Sequence, residues 1–158
     1  MTTPQAAVHT TPTALSTDTT TGIASAAEVV NEFLRLIMLP DPVAASRYTA
    51  PGMKILFTGG RTMNAPAECT QFNASRYKWV KKRIERTEEV IAPTKGAGLD
   101  ESVVYSLGTL YGQWPDGTPF EGNRYVDRYV VKKGLITHMD VWNDSAEWLL
   151  VRAGLAVL

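Results

Sequence analysis

Between Asn123 and Asp144 the chain alternates twice, and few folds accommodate such a segment. NRYVDRYVVKKGLITHMDVWND sets two period-2 runs on either side of a Lys-Lys-Gly turn, which predicts a β-hairpin. In the first run Tyr125, Asp127, Tyr129 and Val131 share one face, and Arg124, Val126, Arg128 and Val130 share the other. In the second, Leu135, Thr137, Met139, Val141 and Asn143 oppose Ile136, His138, Asp140, Trp142 and Asp144. The first of these two sets is the more apolar and suits the core side of a sheet. A three-residue turn near Lys133 and Gly134 then puts Asp127 across from Met139 or Val141. It also puts Arg124 and Arg128 across from Asp140 and Asp144, a favourable charge pattern on the outer face. Both patterns turn Asp127 inward, between two tyrosines.

The segments before the hairpin supply its cover. In SAAEVVNEFLRLIMLP, Ser25 and Glu28 form a capping box, and Val29, Phe33, Leu36 and Ile37 make a helical stripe that Pro40 ends. DPVAASRYTAP predicts a short second helix with Asp41 as cap and Pro42 in the first turn. MKILFTGG predicts a short strand. Asn64 and Pro66 open a third helix expected to run to about Lys81 and to carry Phe72, Tyr77 and Trp79. RIERTEEVIAP follows as an exposed or edge strand, KGAGLD as a loop, and ESVVYSLGTLYGQW as a long strand. In that strand Gly108 and Gly112 mark places where it bends or is closely approached. PDGT is a tight turn, and DSAEWLLVRAGL is a closing helix. This order predicts an α+β fold: a cone-shaped, strongly bent antiparallel sheet packed on three N-terminal helices, enclosing a cavity suited to a small ligand. Residues 1–24, Thr-rich and poor in apolar surface, are expected to form a flexible tail, and residues 25–158 a single domain. His9, in the tail, receives no role.

Charge and composition narrow the function. Sixteen basic and sixteen acidic residues cancel, which argues against nucleic acid or an anionic membrane as partner. One cysteine, Cys69, allows no internal disulfide and suits a reducing, cytoplasmic location. No run of about 18 apolar residues exists to cross a membrane. No His or Cys cluster has metal-binding spacing, and no Gly-rich loop opens a helix, so neither metal nor cofactor is implied.

Asp127 is the leading candidate for chemistry. Desolvation penalises the ionised form of such a carboxyl, and the hydroxyls of Tyr125 and Tyr129 are placed to hydrogen-bond it. A neutral carboxyl donates to a developing oxyanion, and an ionised one takes a proton. The plainer reading is a structural Asp satisfied by tyrosine and backbone. Phe33, Phe57, Trp79, Tyr111, Met139, Val141 and Asn143 are the candidate ligand-binding residues. Tyr105 and Tyr111 have no face assigned, because it depends on the register of the PDGT turn. His138, Asp140 and Trp142, on the outer face, suggest a homodimer contact.

AEVVNEFLRLI, FTGG, GTLYGQWPDGTPFEGNRYVDRYVVKKGLITHMDVWND and AEWLLVRAGL together resemble the nuclear transport factor 2-like superfamily, in its SnoaL-like and ketosteroid-isomerase-like branch. The resemblance covers about residues 25 to 156. It implies an apolar cavity for a small hydrophobic ligand. It also implies either a cofactor-independent cyclase, dehydratase or isomerase using Asp127 as acid or base, or a non-catalytic binding or dimerisation module. Val126-Asp127-Arg128-Tyr129 matches the strand that carries a catalytic Asp in ketosteroid isomerases. Their oxyanion-hole Tyr falls where this chain has Phe33, and their general-base Asp near Phe57, so double-bond isomerisation by that machinery is not expected. The final-strand Asp of limonene epoxide hydrolases falls at Val141, which removes that mechanism as well.

Overall fold

The computed structural model describes residues 25–91 and 101–157. The expected tail, with His9, and the KGAGLD loop lie outside them. Helix α1 (Ala26–Met38) starts at Ser25, whose hydroxyl accepts from the Glu28 amide while the Glu28 carboxylate accepts from the Ser25 amide. Its stripe of Val29, Val30, Phe33, Leu34 and Leu36 is buried. Asp41 caps the short α2 (Pro42–Ala45), its carboxylate accepting from the Ala44 amide. Then come β1 (Thr49–Phe57), β2 (Arg61–Met63), α3 (Pro66–Arg76), β3 (Trp79–Ile91), β4 (Glu101–Gln113), β5 (Pro119–Lys132), β6 (Leu135–Asn143) and α4 (Ser145–Arg152).

The strands form one open six-stranded sheet in the order β2-β1-β6-β5-β4-β3. The expectation of a purely antiparallel sheet needs one correction: β1 runs parallel to β6, with Ile55 beside Met139. Local turn signals predict hairpins, whereas this pairing joins segments far apart in sequence. What favours it is burial: Met53, Ile55 and Phe57 enter the same core as Met139 and Val141.

Four further details differ from the sequence reading. The third helix ends at Arg76, not near Lys81. Tyr77 is already extended because its ring stacks on Trp114, 5.3 Å away, and packs against Phe120. The Lys78 amide meanwhile joins the ladder through the Gln113 carbonyl, so Trp79 opens β3. The β5–β6 turn holds two residues, Lys133 and Gly134, both at positive φ. Finally, the register slips between Val130 and Val131, which pair with His138 and Ile136 and leave Thr137 as an extra residue. That bulge reverses the alternation before it, so Ile136 is buried although its parity assigns it to the outer face.

Beyond the bulge the hairpin follows the alternation. Asp127 pairs with Val141, Tyr129 with Met139 and Arg128 with Asp140. On the outer face Arg128 bonds Asp140 at 2.9 Å and Arg124 bonds Asp144 at 2.7 Å. Gly108 and Gly112 stand where β3 presses on β4: a Cβ on either would lie 2.1 Å from the Arg83 carbonyl oxygen or 2.2 Å from that of Trp79. Only glycine permits this approach.

Candidate functional site

Under α1 and α3 the inner face of the sheet leaves a cavity of about 260 Å³. Its apolar wall includes Leu34 and Ile37 from α1, Phe57 from β1, Leu110 from β4, and Met139 and Val141 from β6. Amphipathic α1 supplies one side because its stripe must be buried; the inward parity of β1 and β6 supplies the other. Cys69 of α3 also borders the cavity. Burial pushes its thiol up to about 12, so it stays protonated and unreactive at neutral pH.

One charged group enters this apolar space from the sheet. Lys82 lies on β3 between Val80 and Ile84, its side chain 15% exposed, and its ammonium pairs with the carboxylate of Asp127, which is 0% exposed. The ammonium also lies 3.7 Å from the centre of the Tyr125 ring, a cation–π contact. Tyr129 donates its hydroxyl to the same carboxylate oxygen at 2.9 Å. The Tyr125 hydroxyl shares a 3.0 Å hydrogen bond with Ser106, the residue opposite Asp127 on β4. Burial pushes the Tyr125 hydroxyl up to about 12 and the Tyr129 hydroxyl well above its ordinary value, with the Asp127 charge adding to both. Both tyrosines are therefore protonated donors across the neutral range. Asp127 Oδ1 accepts no hydrogen bond from the described residues.

A second polar group closes the other end. Tyr77 donates to the Ser145 hydroxyl at 2.7 Å, and Asn143 Oδ1 accepts from the Ser145 amide at 3.1 Å. Tyr77 and Asn143 both border the cavity. The Asn143 side chain thus satisfies the first amide of α4, while Asp144, at the N-cap position, turns its carboxylate to Arg124.

The sequence-based candidates separate into three groups. Phe57, Trp79, Met139, Val141 and Asn143 border the cavity, Trp79 from β3 and not from a helix. Phe33 and Tyr111 do not. Phe33 packs edge-on against Tyr129, 6.1 Å between ring centres, and so fixes the tyrosine that holds Asp127. Tyr111 is on the outer face, edge-on to Trp79 and beneath Arg83. Tyr125, Asp127 and Tyr129 point inward but stand behind Lys82 and do not form the wall.

Lys82 is the residue that sequence reasoning missed. A helix expected to about Lys81 and a strand expected from Arg83 leave Lys82 between two elements with no parity of its own. The signal was present: Val80, Lys82 and Ile84 alternate with Lys81 and Arg83, which puts a lysine on the apolar side of a strand. Chemically, the arrangement presents an ammonium, held and neutralised from behind by a buried carboxylate, to whatever fills an apolar cavity.

No family model and no curated protein matches the chain. Solved structures do. A nuclear transport factor 2-like protein of unknown function from Burkholderia pseudomallei is similar at 16% identity and TM-score 0.61, over 80% of this chain and 96% of that one. A protein from Jannaschia sp. provisionally named a SnoaL-like polyketide cyclase is similar at 15% and 0.59, over 79% and 89%. One from Shewanella frigidimarina provisionally named a ketosteroid isomerase is similar at 17% and 0.58, over 77% and 98%. The chain therefore has the nuclear transport factor 2-like fold, shared with proteins named as SnoaL-like and ketosteroid-isomerase-like.

Proposed function

We propose that the cavity binds a small, largely apolar molecule and that Lys82, Asp127 and Tyr129 act together on its polar end. The observation that carries this reading is an apolar cavity into which one ammonium projects, backed by a completely buried carboxylate. Lys82 is the member in reach of an occupant. Its charge stabilises negative charge developing on a ligand oxygen, in a space where the low dielectric strengthens that interaction. Asp127 and Tyr129 hold the ammonium in place, so Asp127 acts through Lys82. This is the chemistry of a cofactor-independent cyclase, dehydratase or isomerase. Proteins of this fold named as a polyketide cyclase and a ketosteroid isomerase lend support to the cyclase and isomerase readings and name no substrate for this chain.

The test is a thermal-shift screen of terpenoid, steroid and polyketide-like compounds, followed by product analysis of each binder by mass spectrometry. Wild type should convert at least one binder, and Asp127→Asn should lose that conversion while keeping its fold. Binding with no conversion by either protein supports a second reading, a non-catalytic binding module. The complete burial of Asp127 favours that reading. Conversion at the wild-type rate by Asp127→Asn removes the ion pair from the mechanism.

A further inference from the structure

Every charged residue that borders the cavity is a lysine. Lys78, Lys81 and Lys82 border it and no carboxylate does, and strand parity turns the Lys81 side chain to the outer face beside Tyr111. The one acid that neutralises any of them, Asp127, stands behind Lys82 and out of the wall. Among the described residues, neither Lys78 nor Lys81 enters an ion pair. Lys78 joins the β3–β4 ladder through its amide, so strand parity puts Lys78, Val80 and Lys82 on one face. The first lysine is exposed and the last half-buried, which sets positive charge at two depths.

A cleft with low-dielectric walls and charge of one sign concentrates ions of the other sign. The donor count agrees. An ammonium has three N–H donors; on Lys82 the Asp127 carboxylate takes one, the Tyr125 ring covers a second, and the third is left for an occupant. At the roughly 30 Å³ that a water molecule occupies in the liquid, the cavity has the volume of about nine waters. That suits an apolar body on the order of ten non-hydrogen atoms.

We propose that the occupant is an organic anion: a compact apolar body carrying one acidic oxygen group, a carboxylate or an acidic enol. Its charge rests on Lys82, and Lys78, exposed on the same face of the strand, draws it in. This specifies the ligand chemistry of the cavity described above and rests on the reading of that cavity as a small-molecule site.

Three probes of one shape test it by calorimetric titration of the full chain: 2-naphthoate, its uncharged methyl ester, and the 2-naphthylmethylammonium cation. The naphthoate should bind roughly tenfold or more tightly than the ester, about 1.4 kcal/mol, with the cation weakest. The preference should shrink as ionic strength rises to about 0.15 M. In Lys82→Met/Asp127→Asn, which removes both charges and leaves no buried unpaired carboxylate, the naphthoate should lose most of its advantage over the ester. Lys78→Ser changes only an exposed position and keeps the test usable if the first variant misfolds; it should reduce the preference several-fold. An ester that binds as well as the naphthoate, or a preference unchanged in the variants that fold, overturns the anion proposal and leaves the cavity a small-molecule site. Failure of all three probes to bind removes both readings.

Discussion

At the scale of single residues the molecule turns on one buried charge. Asp127 was legible as an inward carboxylate because both strands of its hairpin alternate cleanly on either side of it. Its partner was not, since a lysine among KWVKKRIER reads as surface until the start of β3 is known. The pair makes an asymmetric prediction about stability. Lys82→Met strands a carboxylate that is fully buried, a change expected to cost about 3–5 kcal/mol. Asp127→Asn leaves an ammonium that can turn into the cavity, and should cost about 1–3 kcal/mol. The double variant should be less destabilised than the sum, so urea unfolding of all four proteins should give a coupling of about 1 kcal/mol or more. Additive effects would mean that the contact contributes nothing to stability.

The other buried titratable groups predict an alkaline limit. Burial moves Cys69 from 9.0 up to about 12 and Tyr125 from 10.0 up to about 12. Between those values the unfolded chain has lost protons that the folded chain keeps. Stability from this source is therefore complete below about pH 9 and falls as pH rises toward 12. Cys69→Ala removes one such group. Its stability between pH 9.5 and 11 should decline less steeply than wild type, by up to about 1 kcal/mol per pH unit, whatever its stability at pH 7. Parallel curves in chemical denaturation across that range would show that the thiol titrates alike in both states.

Among the elements, those governed by local rules were readable and those governed by packing between distant segments were not. The capping box, the Asp41 cap and the hairpin all follow from neighbours in sequence. The end of α3 does not, because Tyr77 leaves the helix for Trp114 and Phe120, more than thirty residues further along. The Thr137 bulge and the parallel β1–β6 pair escape for the same reason. Gly108 is an intermediate case: its place in a strand flagged a close approach, and the structure identifies the Arg83 carbonyl as the group approached. Gly108→Ala would set its Cβ 2.1 Å from that oxygen and 3.0 Å from the Glu85 amide nitrogen, both backbone atoms of β3. β3 must then separate from β4 beside Lys82. The expected cost is above about 2 kcal/mol, with faster amide exchange in β3 and weaker binding of any cavity ligand. A cost under about 1 kcal/mol would mean that the strands separate without strain.

For the whole molecule the remaining question is what covers the outer face of the sheet. Helices bury the inner face, and no described element packs over the other. Trp142 is 50% exposed there, Leu56 44% and Val126 37%, with Val126 paired to both Leu107 and Trp142 across three strands. Arg128–Asp140 and Arg124–Asp144 border this apolar row on either side. An apolar centre with charged pairs at its rim is the usual anatomy of a protein interface. Because each side carries both signs, the face can match a second copy of itself, as a two-fold contact requires. We propose that two chains pair through these outer faces, with His138 at the edge of the contact. The single change Trp142→Ala removes the largest exposed side chain of the row. Adding Arg128→Glu places a carboxylate beside Asp140 and breaks the charge match. Wild type should sediment as a dimer, and the double variant should shift toward monomer with unchanged circular dichroism. A monomeric wild type, or a double variant that stays dimeric at the same concentration, would place any self-contact elsewhere and leave this face for another partner.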